Sequence, residues 1–152
     1  MNPELEAADS LRSMVVIVVD DDPDCRNMMA TVLDLHGAHV LSAPGAQLAL
    51  HLLARHGADA IVTDLMMPGE DGYWLLHQAR NIGGQTVAVI CVSGAATTTG
   101  EVLGAGFDGF LRKPIDPDEL VRLVAETARL RRGQQAPGPL LHAIEAARLP
   151  SR

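Results

Sequence analysis

Two textures of apolar residues alternate along the chain. The first is a short unbroken run. Residues 15–19 and 87–92 are continuously apolar and rich in β-branched side chains, the pattern of strands buried on both faces. Residues 39–43, 60–63 and 109–112 read as three shorter strands. The second texture is helical. In 23–36, Met28, Met29, Val32, Leu33 and Leu35 recur at spacings of three and four. Residues 46–56, with Leu48, Leu52 and Leu53, and 73–81 predict two further helices. Residues 101–105 predict a short, weak one. The clearest helix is 118–131, where Leu120, Leu123, Val124 and Thr127 follow i, i+3, i+4, i+7. Gly37, Gly57 and the Gly83-Gly84 pair close the first three helices. Arg129, Arg131 and Arg132 crowd the end of the last, where the helix dipole favours cations.

The order is strand then helix, five times over. Strands joined by helices run parallel with right-handed crossovers. The expected fold is therefore α/β, a (βα)5 doubly wound five-stranded parallel sheet. Residues 1–13 read as an N-terminal extension and 14–131 as the domain. Residues 132–152 read as a linker, GQQAPGP, followed by a short helix over 140–149. Ligands of such sheets bind beyond the carboxyl ends of the strands, so chemistry is sought there.

Composition narrows the field. Twelve basic residues against nineteen acidic ones give a net charge of −7, which opposes non-specific binding to nucleic acid or anionic lipid. One Tyr, one Trp and two Phe supply no stacking platform for single strands. No apolar run approaches the roughly 20 residues that span a bilayer. The acidic first residues lack the apolar run of a secretory signal. The expected location is the cytoplasm, and Cys25 and Cys91 read as packing residues there. The six histidines share no metal-ligand spacing except His36 and His39, which flank a Gly turn and read as non-ligands. The only lysine is Lys113, in a chain that otherwise uses arginine.

Lys113 follows a strand, and so do several other polar groups. Asp20-Asp21-Asp22-Pro23 follows the first strand. Pro23 at the first helical position makes Asp22 the N-cap and leaves Asp20 and Asp21 in the turn. Asp64 follows the third strand, Ser93 the fourth and Lys113-Pro114 the fifth. Each pair of carboxylates at about 4 Å costs about 4 kcal/mol at an effective dielectric near 20. A cluster of Asp20, Asp21 and Asp64 thus calls for a divalent cation, and all-oxygen ligands in a wet cleft suit Mg²⁺ or Mn²⁺. A cation, one ammonium and one hydroxyl around a carboxylate are equipped to stabilise a phosphoryl group, with Asp64 as nucleophile.

VVIVVDDDPD, IVTDLMMPGEDG, VICVSGA and GFLRKPID resemble the receiver (phospho-acceptor) domain of two-component response regulators, of the chemotaxis-receiver type. The resemblance covers most of the chain, and the D-x-x-M-P-x-x-D-G motif with a downstream K-P is specific. It implies flavodoxin-like strand order 2-1-3-4-5. It implies Asp64 as the residue phosphorylated by a histidine kinase or phosphotransfer protein. Asp20, Asp21, Asp64 and the backbone carbonyl of Met66 are the implied Mg²⁺ ligands. Ser93 and Lys113 are the implied phosphoryl-binding groups, Ser93 and Phe110 the switch pair, and Lys113-Pro114 a cis peptide. The expected module catalyses only its own phosphorylation and dephosphorylation and switches a surface for an unidentified output protein, with a homodimer possible. The segment 97–106 departs from the family, being Gly-interrupted and β-branched where the fourth helix belongs. Two alternatives remain from the residues: a phosphorylation-independent adaptor, and a Mg²⁺-dependent phosphohydrolase of the haloacid-dehalogenase type, whose nucleophile follows its first strand.

Overall fold

The β-branched runs form the strands of one sheet in a computed structural model that describes residues 10–82 and 84–133. The strands are β1 (Val15–Val19), β2 (His39–Ala43), β3 (Ala60–Asp64), β4 (Ala88–Ser93) and β5 (Gly109–Arg112). All pairings are parallel, in the order β2-β1-β3-β4-β5. Five helices connect or follow them: α1 (Pro23–Leu35), α2 (Ala46–His56), α3 (Gly72–Asn81), α4 (Thr99–Gly104) and α5 (Pro117–Gly133). The expected fold and strand order are both present.

Side chains alternate across each strand, so one run feeds two cores. Val16 and Val18 of β1 pack with Met29 and Leu33 of α1 and with Leu120, Val124 and Ala128 of α5. Ile17 and Val19 face the other way, toward Ala49 and Leu53 of α2, Leu75 and Ala79 of α3, and Val102 of α4. Leu11, within the stretch read as an extension, is fully buried in the first core, and its N–H donates to the His36 carbonyl at 2.9 Å.

Element boundaries moved for identifiable reasons. The ladder extends to Asp64, which pairs with Val92, and to Ser93, which pairs with Arg112. These two polar residues therefore end their strands instead of following them. Helix α4 begins at Thr99, two residues before the expected 101, because the Thr98 side chain caps it by accepting from the Glu101 N–H at 3.1 Å. Asp22 caps α1, and Gly37 follows it at φ +97°, both as expected. The helix expected at 140–149 lies outside the described residues.

The amino edge of the sheet holds a feature absent from the sequence reading. Asp59, before β3, accepts the Val15 N–H at 2.8 Å and a pair of donors from Arg132 at 2.9 and 2.7 Å. Asp108, before β5, accepts the Val89 N–H, Arg80 and Arg131, all at 2.8–2.9 Å. Arg131 and Arg132 thus pin the last turn of α5 to specific carboxylates, beyond any dipole effect. Among the described residues no helix is long and apolar enough to cross a membrane.

Candidate functional site

At the opposite edge β1 delivers Asp20 into a fully buried position. Its main chain is fixed on both sides: its N–H donates to the Ala43 carbonyl at 3.2 Å, and its carbonyl accepts Arg26 Nη1 at 2.7 Å. Its Oδ1 accepts the Asp22 N–H at 3.0 Å, closing the turn that leaves Asp21 exposed. Neither Arg26 nor its role was legible beforehand, since an arginine one turn into a helix reads as a solvated face.

β3 delivers Asp64 beside it. The loop after Asp64 is shaped by the rest of its motif. Gly69 sits at φ +80°, where only glycine is unstrained. Asp71 caps α3, its Oδ1 accepting the Trp74 N–H at 2.9 Å. Gly72 donates to the Leu65 carbonyl at 2.9 Å, and a Cβ there would lie 2.6 Å from the Asp64 carbonyl oxygen. The glycine is required because the loop folds back onto the main chain of Asp64.

Lys113 crosses from the end of β5 to both acids. Its Nζ lies 3.0 Å from Asp20 Oδ2 and 3.3 Å from Asp64 Oδ2. Asp20, Asp21 and Asp64 each offer an oxygen within 4.8 Å of the others. Three oxygens at that spacing are an all-oxygen set of the kind Mg²⁺ takes, and they need only draw together to share one ion. Three carboxylates face one ammonium, and the excess is negative.

The protonation equilibria follow from this crowding. Burial, and then the charge of Asp20, raises the Asp64 carboxyl above its ordinary range, although Lys113 and a hydrogen bond from Met66 oppose the shift. Burial pulls Lys113 down, but its hydrogen bond to Asp20 and the two carboxylate charges outweigh this and hold it protonated. Burial, and then a hydrogen bond to Asp20, pushes the Cys25 thiol up to about 11.

Ser93 is buried at the end of β4, and its Oγ accepts the Ala95 N–H at 3.0 Å. The Lys113 N–H donates to the Ser93 carbonyl at 3.0 Å. The Lys113-Pro114 peptide is cis. Phe110 pairs with Cys91 in the ladder and is half-buried. Arg112, which the sequence did not single out, lies over its ring at 5.1 Å. The structure thus brings Asp20, Asp21, Asp64 and Lys113 together, with Ser93 on β4 beside Asp64 and Phe110 one strand further out on β5.

Known proteins share this architecture. The response regulator receiver domain family matches residues 16–125. An uncharacterised 14.6 kDa protein of Leptolyngbya boryana is 39% identical over 120 residues, covering 77% of this chain and 92% of that protein. The response regulator protein PilR of Pseudomonas aeruginosa is 34% identical over 82% of this chain, and the sensor histidine kinase RcsC of Salmonella typhi 32% over 86%. The chain spans only 28% and 14% of those two proteins. Among solved structures, a Francisella response regulator receiver domain superposes with a TM-score of 0.71 at 32% identity, over 78% of this chain and 98% of that one. The receiver domain of a P. aeruginosa sensor histidine kinase, with a magnesium ion coordinated in its active site cleft, superposes at 0.69 with 25% identity, over 76% and 98%. From fold, motif and match together, this chain belongs to the response regulator receiver domain family.

Proposed function

We propose that this chain is a phosphorylation-dependent signalling module that accepts a phosphoryl group on Asp64 from a phosphohistidine donor. The observation that carries the reading is the convergence of Asp64 with Asp20, Asp21 and Lys113 at one sheet edge, within 4.8 Å for the acids and 3.3 Å for the ammonium. A carboxylate oxygen of Asp64 attacks phosphorus as the donor's P–N bond breaks, and the donor imidazole leaves with the electron pair. Asp20, Asp21, Asp64 and the Met66 carbonyl are the groups to hold Mg²⁺, with Mn²⁺ as substitute. The cation supplies charge neutralisation for the phosphoryl oxygens. Lys113 pairs with one phosphoryl oxygen, and the Ser93 hydroxyl donates to another. The magnesium of the P. aeruginosa kinase's receiver domain supports the same ion here. The partners are a histidine kinase or phosphotransfer protein upstream and an output protein downstream.

Acetyl phosphate with Mg²⁺ tests the assignment. The intact mass should rise by one phosphoryl group in the wild type and stay unchanged in Asp64→Asn. An equal adduct in the variant would place the acceptor elsewhere.

A further inference from the structure

We propose that Arg112 is the positioning residue for the Ser93 hydroxyl, an inference that rests on the phosphoacceptor reading above. Arg112 is the ladder partner of Ser93, so its side chain starts beside the strand end it acts on. Its guanidinium reaches over the turn that follows Ser93. Nη1 donates to the Ala95 carbonyl at 3.1 Å, and Nη2 donates to the Thr97 carbonyl at 2.6 Å. The Cζ of the same group lies over the Phe110 ring, 5.1 Å from its centroid.

These contacts join two otherwise separate parts. The Ala95 peptide unit that Arg112 grips is followed by Thr97, whose N–H donates back to the Ala95 carbonyl at 2.9 Å. Ala95 in turn gives its N–H to Ser93 Oγ at 3.0 Å. A hydroxyl has one proton and two lone pairs. With a lone pair taken by Ala95, the Ser93 proton remains to be donated, and its direction is set by the turn. The guanidinium therefore holds the turn that aims the hydroxyl and lies over the aromatic ring two residues earlier in β5. Movement of the turn and movement of the Phe110 ring share one side chain.

Lysine does not replace this group. It keeps the charge but lacks the planar fork that serves two carbonyls and the flat face that covers a ring. Arg112 touches none of the three acids, so its loss leaves the cation site intact.

The test uses the full chain and measures Mg²⁺ affinity and then beryllofluoride affinity at saturating Mg²⁺. Beryllofluoride stands in for the phosphoryl group on a carboxylate. Arg112→Ala and Arg112→Lys should each weaken beryllofluoride binding by about tenfold, the lower end of the loss from removing an outer-shell partner, with Mg²⁺ affinity unchanged. In a Ser93→Ala background, Arg112→Ala should add nothing. Full affinity in Arg112→Lys would show that charge alone matters and overturn the proposal. So would wild-type affinity in Arg112→Ala, or an undiminished effect in the Ser93→Ala background. Failure of the wild type to bind beryllofluoride with Mg²⁺ would instead remove the phosphoacceptor reading itself.

Discussion

At the amino edge of the sheet, Asp59 and Asp108 each stand before a strand, accept the N–H of a residue in the neighbouring strand, and meet arginines from α5 or α3. At the carboxyl edge, Asp20, Asp21 and Asp64 stand at the ends of β1 and β3, and one lysine serves Asp20 and Asp64. Both edges are made of aspartates and cations. At the first, the carboxylates accept from short, several-fold donors, so their charge is balanced within the fold. At the second, acids outnumber the ammonium, and burial with mutual repulsion raises Asp64. An ion pair completed by the chain holds elements together. One left short of positive charge takes its missing partner from solution, and binding that partner adds to stability. The same residue types are closed into architecture at one end and left with excess negative charge at the other.

Removing a carboxylate should therefore have opposite effects at the two edges. Asp108→Ala takes a partner from both Arg80 and Arg131 and leaves the Val89 N–H without its acceptor. It should cost about 3 kcal/mol, near the low end for breaking a buried pair because the group is partly exposed. A urea midpoint measures it, and a loss under about 1 kcal/mol would erase the contrast. Mg²⁺ at a hundredfold its Kd should stabilise the wild type by about 2.7 kcal/mol, read as a rise in Tm that equal ionic strength of Na⁺ does not reproduce. Asp21→Ala should lose that response and melt no lower than the wild type without metal, since relieved repulsion offsets the deletion. Asp108→Ala should keep it.

The smallest effect concerns the thiols. Burial, and after it the Asp64 charge, pushes Cys91 up to about 12, so about one thiol in ten thousand is ionised at pH 8. Alkylation of the folded protein should be slow at Cys91, which is fully buried and reacts only when the fold opens, and should speed up once the protein is denatured. The raised thiols favour the fold below the unfolded thiol pKa and withdraw that support as pH climbs toward 11–12. Stability should thus decline on the alkaline side.

Much of the carboxyl edge could be read from local pattern. A short, mostly apolar run meeting a polar residue marks a strand's end: Asp20 and Lys113 follow β1 and β5, and Asp64 and Ser93 close β3 and β4. The Lys113–Asp20 contact spans 93 residues of sequence but needs only the parallel topology to be expected. The amino edge was silent because an aspartate before a strand looks like any solvated turn. Its meaning lies in an arginine 73 residues away for Asp59. Arg112 was hidden for a related reason: in a short strand a polar side chain reads as pointing to solvent, whereas it folds back over a turn 15 to 17 residues earlier. The start of α4 was missed because Thr98 and Glu101 form their cap within a segment of poor helix propensity.

Gly72 carries a consequence for how such a chain tolerates change. It has no side chain, is not a ligand and touches no substrate, yet one added methyl group would press on the carbonyl of Asp64 at 2.6 Å. The obstacle is main chain, which cannot swing aside as a side chain can. A substitution can therefore vary the surroundings of this edge, but it cannot thicken the wall behind Asp64 without shifting Asp64. What keeps Asp64 in place at that point is an atom the chain does without.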